Sequence, residues 1–411
     1  MVVPLKARSQ HTLRGMTDCL CLLVGTLWLS QVSPSTPSAS TTPPPTQSTE
    51  PTRARTVDQA AIAAIATKGR ADAKLPGLVL AVVPRDGSPV LAAAGARAAT
   101  EDAAITIDDA MHLGSCTKAF TATLAAALVA DGKIRWDSTI AECLGSDAPN
   151  TLEAWRAVTL EELLRHRGGA PANPPASLWT AAFACTEPAI ECRAAFVRGL
   201  LAEMPTARGK FVYSNQGYAI AGRMLEVAAA RDAVGADGRP QQPIAYETLL
   251  TDRVLQPLGI ERACFGPPTR TEPASPKGHT ETGVVRDIDN PNAIAPAGTL
   301  AMPLGEWAKF VAFHLGAEPP KPLAGAAREL QALHRKHAQE PFEALGWRTA
   351  DRPWGGSVLM HAGSNTLWYC VAWLSPEKGF AVLAATNQGG DAATKACDEA
   401  CAAMISECVD R

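Results

Sequence analysis

The sequence lacks a long basic run, a Cys-x-x-Cys pair, an apolar run of membrane-spanning length and any internal repeat. Each absence removes a class of function. A chain of net charge −3 with no basic patch is a poor partner for nucleic acid. Residues 1–56 hold five Lys/Arg and two Asp/Glu, so the remainder stands at −6 and suits a polyanion still less. Without paired cysteines a structural zinc site is not expected. His334-x-x-His337 with Glu340 has metal-like spacing, but a solvated helix face accounts for it better, and no metal is expected. The first apolar run, residues 19–29 (CLCLLVGTLWL), is 11 residues long, whereas a membrane helix needs about 20.

That run has another use. Lys6, Arg8 and Arg14 precede it, which is the charge-then-apolar order of a secretory signal. Residues 1–30 are therefore expected to be a signal peptide, with an uncleaved membrane anchor as the alternative. No A-x-A triplet marks a cleavage point. Residues 31–56 (QVSPSTPSASTTPPPTQSTEPTRART) read as an extended Pro/Ser/Thr linker. Such a tether would hold a folded domain near a membrane or cell wall, and the expected location is secreted or periplasmic. Of 11 cysteines, nine follow residue 56. Cys185 and Cys192 bracket a short segment (CTEPAIEC) and are the best local disulfide candidates in an oxidising compartment. Cys397, Cys401 and Cys408 share one face of a helical stretch, with partners that can lie elsewhere. Nine is odd, so at least one thiol is free or pairs between chains.

Periodicity predicts helices at VDQAAIAAIATKG, at 115–131, 159–166 and 216–230, and at DAATKACDEACAAMISECV. It predicts a hairpin of GLVLAVV and PVLAAAGA around Arg85-Asp-Gly87, and a second of LWYCVAWL and FAVLAATN. Two strands at each end with helices between them imply an α+β fold. Both termini would build one antiparallel sheet flanked by helices, with an all-helical region inserted.

Three motifs carry chemistry. Ser115-Cys-Thr-Lys118 puts a hydroxyl and an amine at i and i+3, on one helix face. A serine is a weak nucleophile until a base sits beside it, and a desolvated lysine can be that base. The other Ser-x-x-Lys, Ser375-Pro-Glu-Lys378, reads as the turn of the late hairpin. Tyr213-Ser-Asn215 offers a phenol to relay a proton and an amide to orient a carbonyl or the lysine. His361-Ala-Gly363 is read as the start of an aromatic-rich apolar strand. Its glycine would admit an acyl group close to the backbone, and the N–H of Ser364 would join that of Ser115 as an oxyanion hole. The same triplet recurs at His112-Leu-Gly114 and His166-Arg-Gly168, so only order distinguishes the third motif. Cys116 is read as a packing residue.

Ser-x-x-Lys, then Tyr-x-Asn, then His/Lys-x-Gly before a late strand resembles the layout of penicillin-binding proteins and serine β-lactamases. The Tyr-x-Asn form is similar to class C β-lactamases, the related D-Ala-D-Ala carboxypeptidases and esterases of that superfamily. KAFTATLAAALVADGKIRWDSTIAECLG, VTLEELLRHRGGAP, LQPLGIERACFG and APAGTLAMPLGEWAKF look like family segments as well. The resemblance implies a β-lactamase/transpeptidase-like catalytic domain over 57–411. Its α/β part would span about 57–110 and 290–411, and its helical part about 111–289. It implies Ser115 as nucleophile, Lys118 and Tyr213 sharing base and acid work, and Asn215 positioning substrate. His361 would line the far wall and support the tyrosine proton, with Gly363 and Ser364 completing the substrate wall. No cofactor is implied.

The implied substrate is a small molecule or a peptidoglycan-derived one: a β-lactam, a D-Ala-D-Ala peptide or a short-chain ester. The alternative is a non-catalytic peptidoglycan- or partner-binding module on the same fold. The chain departs from the pattern at Arg167-Gly168, where Ser-Gly is usual, and at Asn365, where glycine is common. His361 stands where many β-lactamases carry lysine, and histidine is only partly charged at neutral pH. Uncharged esters are therefore expected to be hydrolysed at least as well as penicillins, unless Arg348 or Arg352 reaches the cleft.

Overall fold

Two strands near residue 80 and four beyond residue 347 form one sheet in the computed structural model. The structure describes residues 57–231, 242–270, 272, 274–340 and 342–409. The expected signal peptide (1–30) and linker (31–56) lie outside the described residues. Among the described residues no helix is long and apolar enough to cross a membrane.

The strands are β1 (Gly77–Pro84), β2 (Val90–Gly95), β3 (Arg348–Arg352), β4 (Gly356–Ser364), β5 (Tyr369–Ser375) and β6 (Phe380–Thr386). They lie in the order β2-β1-β6-β5-β4-β3, every neighbour antiparallel. The join between the two ends of the chain is β1 on β6, from Leu78 opposite Thr386 to Pro84 opposite Phe380. Both faces of this pair are covered, which is why the strands read as near-continuous apolar runs. Leu78, Leu80 and Val82 face one core, whereas Val79, Ala81 and Val83 face the other. Each such side chain removed from water is worth about 1.5–3 kcal/mol.

Four helices frame the parts used below: α1 (Gln59–Asp72), α2 (Thr117–Ala130), α3 (Asn215–Ala229) and α4 (Asp391–Val409). α1 and α4 cover one face of the sheet, where Ile62, Ala66, Cys397, Cys401 and Met404 are buried. Cys397 and Cys401 keep their thiols there, while Cys185 and Cys192 are joined as a disulfide. α2 runs behind the other face. It is alanine-rich and buried along nearly its whole length, and it ends at Asp131-Gly132 with Gly132 at positive φ.

The sequence reading needs three corrections. The C-terminal part contributes four strands, because RTADR is a polar edge and GSVLMHAGS is small-residue rich, so neither shows strand periodicity. His361 accordingly does not begin the aromatic strand. It lies near the end of β4, and the aromatic run belongs to β5 after a reversal at residues 365–368. The region 111–289 is not all helical either: Met111–His112 and Cys264–Phe265 pair with Leu300–Met302, and Gly278–His279 pairs with Val285–Arg286. Finally, His334, His337 and Glu340 do not form a solvated face. His334 Nε2 lies 2.9 Å from His314 Nδ1, and Glu340 pairs with Arg167.

Candidate active site

Ser115 sits in a 3-10 turn, Gly114–Cys116, that leads straight into α2. From Met111 to Leu128 it is the one residue that is not buried. The turn abuts the end of β4, backbone against backbone. Gly114 has φ +47°, and a Cβ on it would lie 2.4 Å from Ser364 N. A Cβ on Gly363 would lie 2.0 Å from Leu113 O and 2.9 Å from Ser115 N. Glycine is required on both sides of this contact. The result places the amides of Ser115 and Ser364 in one neighbourhood. The Thr117 hydroxyl donates to Gly114 O at 2.7 Å and fixes the peptide that carries the Ser115 N–H.

Lys118, the second residue of α2 and one turn on from Ser115, is fully buried. Its Nζ donates to Ser115 Oγ (3.0 Å), Asn215 Oδ1 (2.8 Å) and Ala297 O (2.8 Å). All three acceptors are neutral. Burial without a carboxylate lowers the lysine to about 7. Asn215 reaches it as the first residue of α3, whose cap is Ser214: its hydroxyl accepts the Gly217 N–H and donates to Pro171 O.

Tyr213 precedes that cap. Its ring centroid is 4.8 Å from Lys118 Nζ. Burial holds the phenol up at about 12, with the nearby Ser115 hydroxyl pulling the other way. The ring lies 4.4 Å from that of His166, which adopts φ +60° and accepts the Ser214 N–H on Nδ1. His361 is buried, its Nδ1 2.7 Å from Ala362 O. Burial, with Lys118 and Arg348 nearby, lowers it to about 3. The histidine is therefore neutral at physiological pH, which corrects the expectation of a partial charge.

The structure thus gathers Ser115, Lys118, Tyr213, Asn215, His361, Gly363 and Ser364. It adds two groups that the motifs did not announce. One is the Ala297 carbonyl on Lys118, which no side-chain pattern can reveal. The other is Arg348, which shares a small recess with His166, Tyr213 and His361. Among the described residues Arg348 makes no ion pair, and its guanidinium stands over the Phe211 ring at 5.9 Å. Arg352, the other candidate, stacks on Trp373 instead. Chemically, the arrangement is a reachable hydroxyl beside a lysine that titrates near neutrality, with backbone N–H donors at its side.

The β-lactamase family model matches residues 62–401. "Penicillin-binding protein 4" of Amycolatopsis lactamdurans is 27% identical over 338 residues, 78% of this chain and 83% of that protein. Among solved structures, the D-alanine carboxypeptidase AmpC from Burkholderia cenocepacia aligns with a TM-score of 0.68 at 15% identity, over 85% of this chain and 98% of its own. A class C β-lactamase from Rhodobacter sphaeroides gives 0.68 at 17%, over 84% and 98%. The chain belongs to the β-lactamase family and has the β-lactamase/transpeptidase-like fold.

Proposed function

We propose that this member of the β-lactamase family is a serine hydrolase in which Ser115 forms the acyl-enzyme and Lys118 is the principal base. The observation that carries this is the 3.0 Å contact between Ser115 Oγ and a lysine with no carboxylate partner, held near 7. In the first step neutral Lys118 takes the Ser115 proton and Oγ bonds the carbonyl carbon, whose oxygen becomes an anion on the N–H groups of Ser115 and Ser364. The carbonyl re-forms as the bond to the leaving nitrogen or oxygen breaks. The leaving atom receives the proton carried by Lys118, by way of the Tyr213 hydroxyl. Water then attacks the ester, giving its proton to the same pair, and Ser115 is released. Tyr213 stays a phenol throughout, since it ionises only near 12.

The substrate reading shifts from the one the sequence favoured. A neutral His361 offers no charge, but Arg348 supplies one and makes no ion pair among the described residues, the Glu343 that shares its recess being bound to Arg167. We infer a substrate that carries a carboxylate, such as a β-lactam or a D-Ala-D-Ala peptide, in preference to an uncharged ester. Export remains part of the proposal, supported by the charge and apolar order of residues 1–30.

The test is labelling with a fluorescent penicillin followed by peptide mass analysis. The expected adduct is on the Ser115 peptide, and Ser115→Ala should abolish it without loss of fold. An adduct on Cys116 would overturn Ser115 as the nucleophile, and no adduct under any condition would replace this reading with that of a binding module.

A further inference from the structure

Asp289 lies outside every motif, yet its side chain is wholly buried beside the site. Its Oδ2 is 3.0 Å from His112 Nε2, and its Oδ1 accepts from Asn365 Nδ2 at 2.9 Å. His112, also buried, accepts the Gly114 N–H on Nδ1 at 3.1 Å. The ring proton therefore sits on Nε2 and points to Asp289. At the other end, Asn365 Oδ1 accepts the Leu367 N–H at 3.2 Å, which fixes the reversal after β4. One carboxylate thus ties the residue before Ser115 to the residue after Ser364. The adjacent Asn290 donates to Gly298 O at 2.8 Å, next to the Ala297 carbonyl that holds Lys118.

We infer that Asp289, with His112 and Asn365, is a positioning device that sets the separation and aim of the two oxyanion donors. This rests on the serine hydrolase reading above. The backbone contact at Gly114 and Gly363 brings the two amides together but leaves the walls able to shear. The Asp289 bridge supplies the cross-tie. A donor misplaced by a fraction of an ångström no longer meets the developing anion, whereas ground-state binding hardly senses it. Two positions that depart from expectation acquire a reason: a histidine that mimics the third motif, and an asparagine where glycine is common.

The chemistry of the bridge defines its test. Both partners donate to Asp289, and an amide cannot accept on both sides. Asp289→Asn must therefore set one donor against another, whichever way the amide turns. Exchanging the groups, Asp289→Asn with Asn365→Asp, restores every bond: the new amide accepts from His112 and donates to residue 365, which still accepts from Leu367. The measurement is acylation of the full chain by penicillin, resolved into a binding constant and a first-order step. A second readout is affinity for an arylboronic acid, which forms a tetrahedral adduct on Oγ.

In Asp289→Asn the first-order step should fall roughly 10- to 100-fold, below the 10²–10³ of losing a donor outright. The penicillin binding constant should hold, and boronate affinity should fall in parallel with the step. The exchanged pair should recover most of both. Should Asp289→Asn not fold, Asn365→Ala removes one arm without creating a clash and should still slow the step about 10-fold. A folded variant that acylates at the parent rate overturns the inference, as does an exchanged pair no faster than the single variant. Failure of the underlying reading looks different: the parent itself would then not be acylated at Ser115.

Discussion

Among the described residues two cations are fully buried, Lys118 and Arg193, and they are treated in opposite ways. Arg193 is enclosed by carboxylates. It binds Glu226 at 2.8 Å and Glu247 at 2.9 Å, and its Nη1 donates to Asn292 O. Burial opposes its charge, but Glu226 and Glu247 outweigh that and raise it above its ordinary value. Glu226 is held in turn by Arg223 and by the Tyr246 N–H. Lys118 hydrogen-bonds a hydroxyl, an amide and a carbonyl, all neutral, with the faces of Tyr213 and Tyr218 nearby. The lesson is that burial alone does not make a charge structural. A buried cation given carboxylates is locked charged and ties helices together, while one given neutral acceptors is left ready to exchange a proton.

The largest expected effect follows from removing the second kind of cation. Lys118→Met should cut the acylation rate by three orders of magnitude or more, measured by single-turnover labelling at pH 7. Its stability signature has a definite sign. The lysine titrates at about 7 when folded and near 10.5 when unfolded, so the unfolded chain binds more protons between those values. Stability then rises with pH across that window, and the rise should disappear from thermal melts of Lys118→Met. A variant that keeps the parent's slope would mean the lysine is charged in the folded state.

Arg193→Met should do the reverse. It removes one of the two arginines on buried Glu226, at a cost of about 3–5 kcal/mol in denaturant unfolding, while molecules that remain folded acylate normally with an unmoved pH profile. A rate loss larger than the loss of folded protein would show that Arg193 acts on the site.

The contrast also explains what could be read without coordinates. The Ser115–Lys118 pair was legible because helix geometry fixes i to i+3, whereas Tyr213 and Asn215 were picked out by the order of the motifs and the family they resemble. The late hairpin was legible from two apolar runs on either side of a turn. β4 was not, since its small residues serve a backbone contact rather than a core. Arg348 could be named only as one of two arginines able to reach the cleft, and Asp289 and the Ala297 carbonyl were not legible, because their roles come from tertiary neighbours with no sequence period. The charge of His361 was misjudged for the same reason: the ordinary imidazole value holds in water, and this ring is buried near Lys118 and Arg348.

The smallest effect is the sharpest, because it converts one treatment into the other. Asn215 Oδ1 is 2.8 Å from Lys118 Nζ, so Asn215→Asp gives the lysine the carboxylate that Arg193 already has. A close opposite charge favours the protonated form by roughly 1–3 pK units. In the parent, kcat/KM for penicillin acylation should climb with pH through about 7 as Lys118 loses its proton, with no step from His361 until near 3. In Asn215→Asp that climb should move upward, leaving the variant roughly 10- to 100-fold slower at pH 7 but close to the parent near pH 9. Rescue by pH distinguishes a retuned base from a lost substrate contact, because the missing amide is just as absent at pH 9. If the climb stays at 7 while the rate falls at every pH, Asn215 acts on the substrate and Lys118 is not the titrating base.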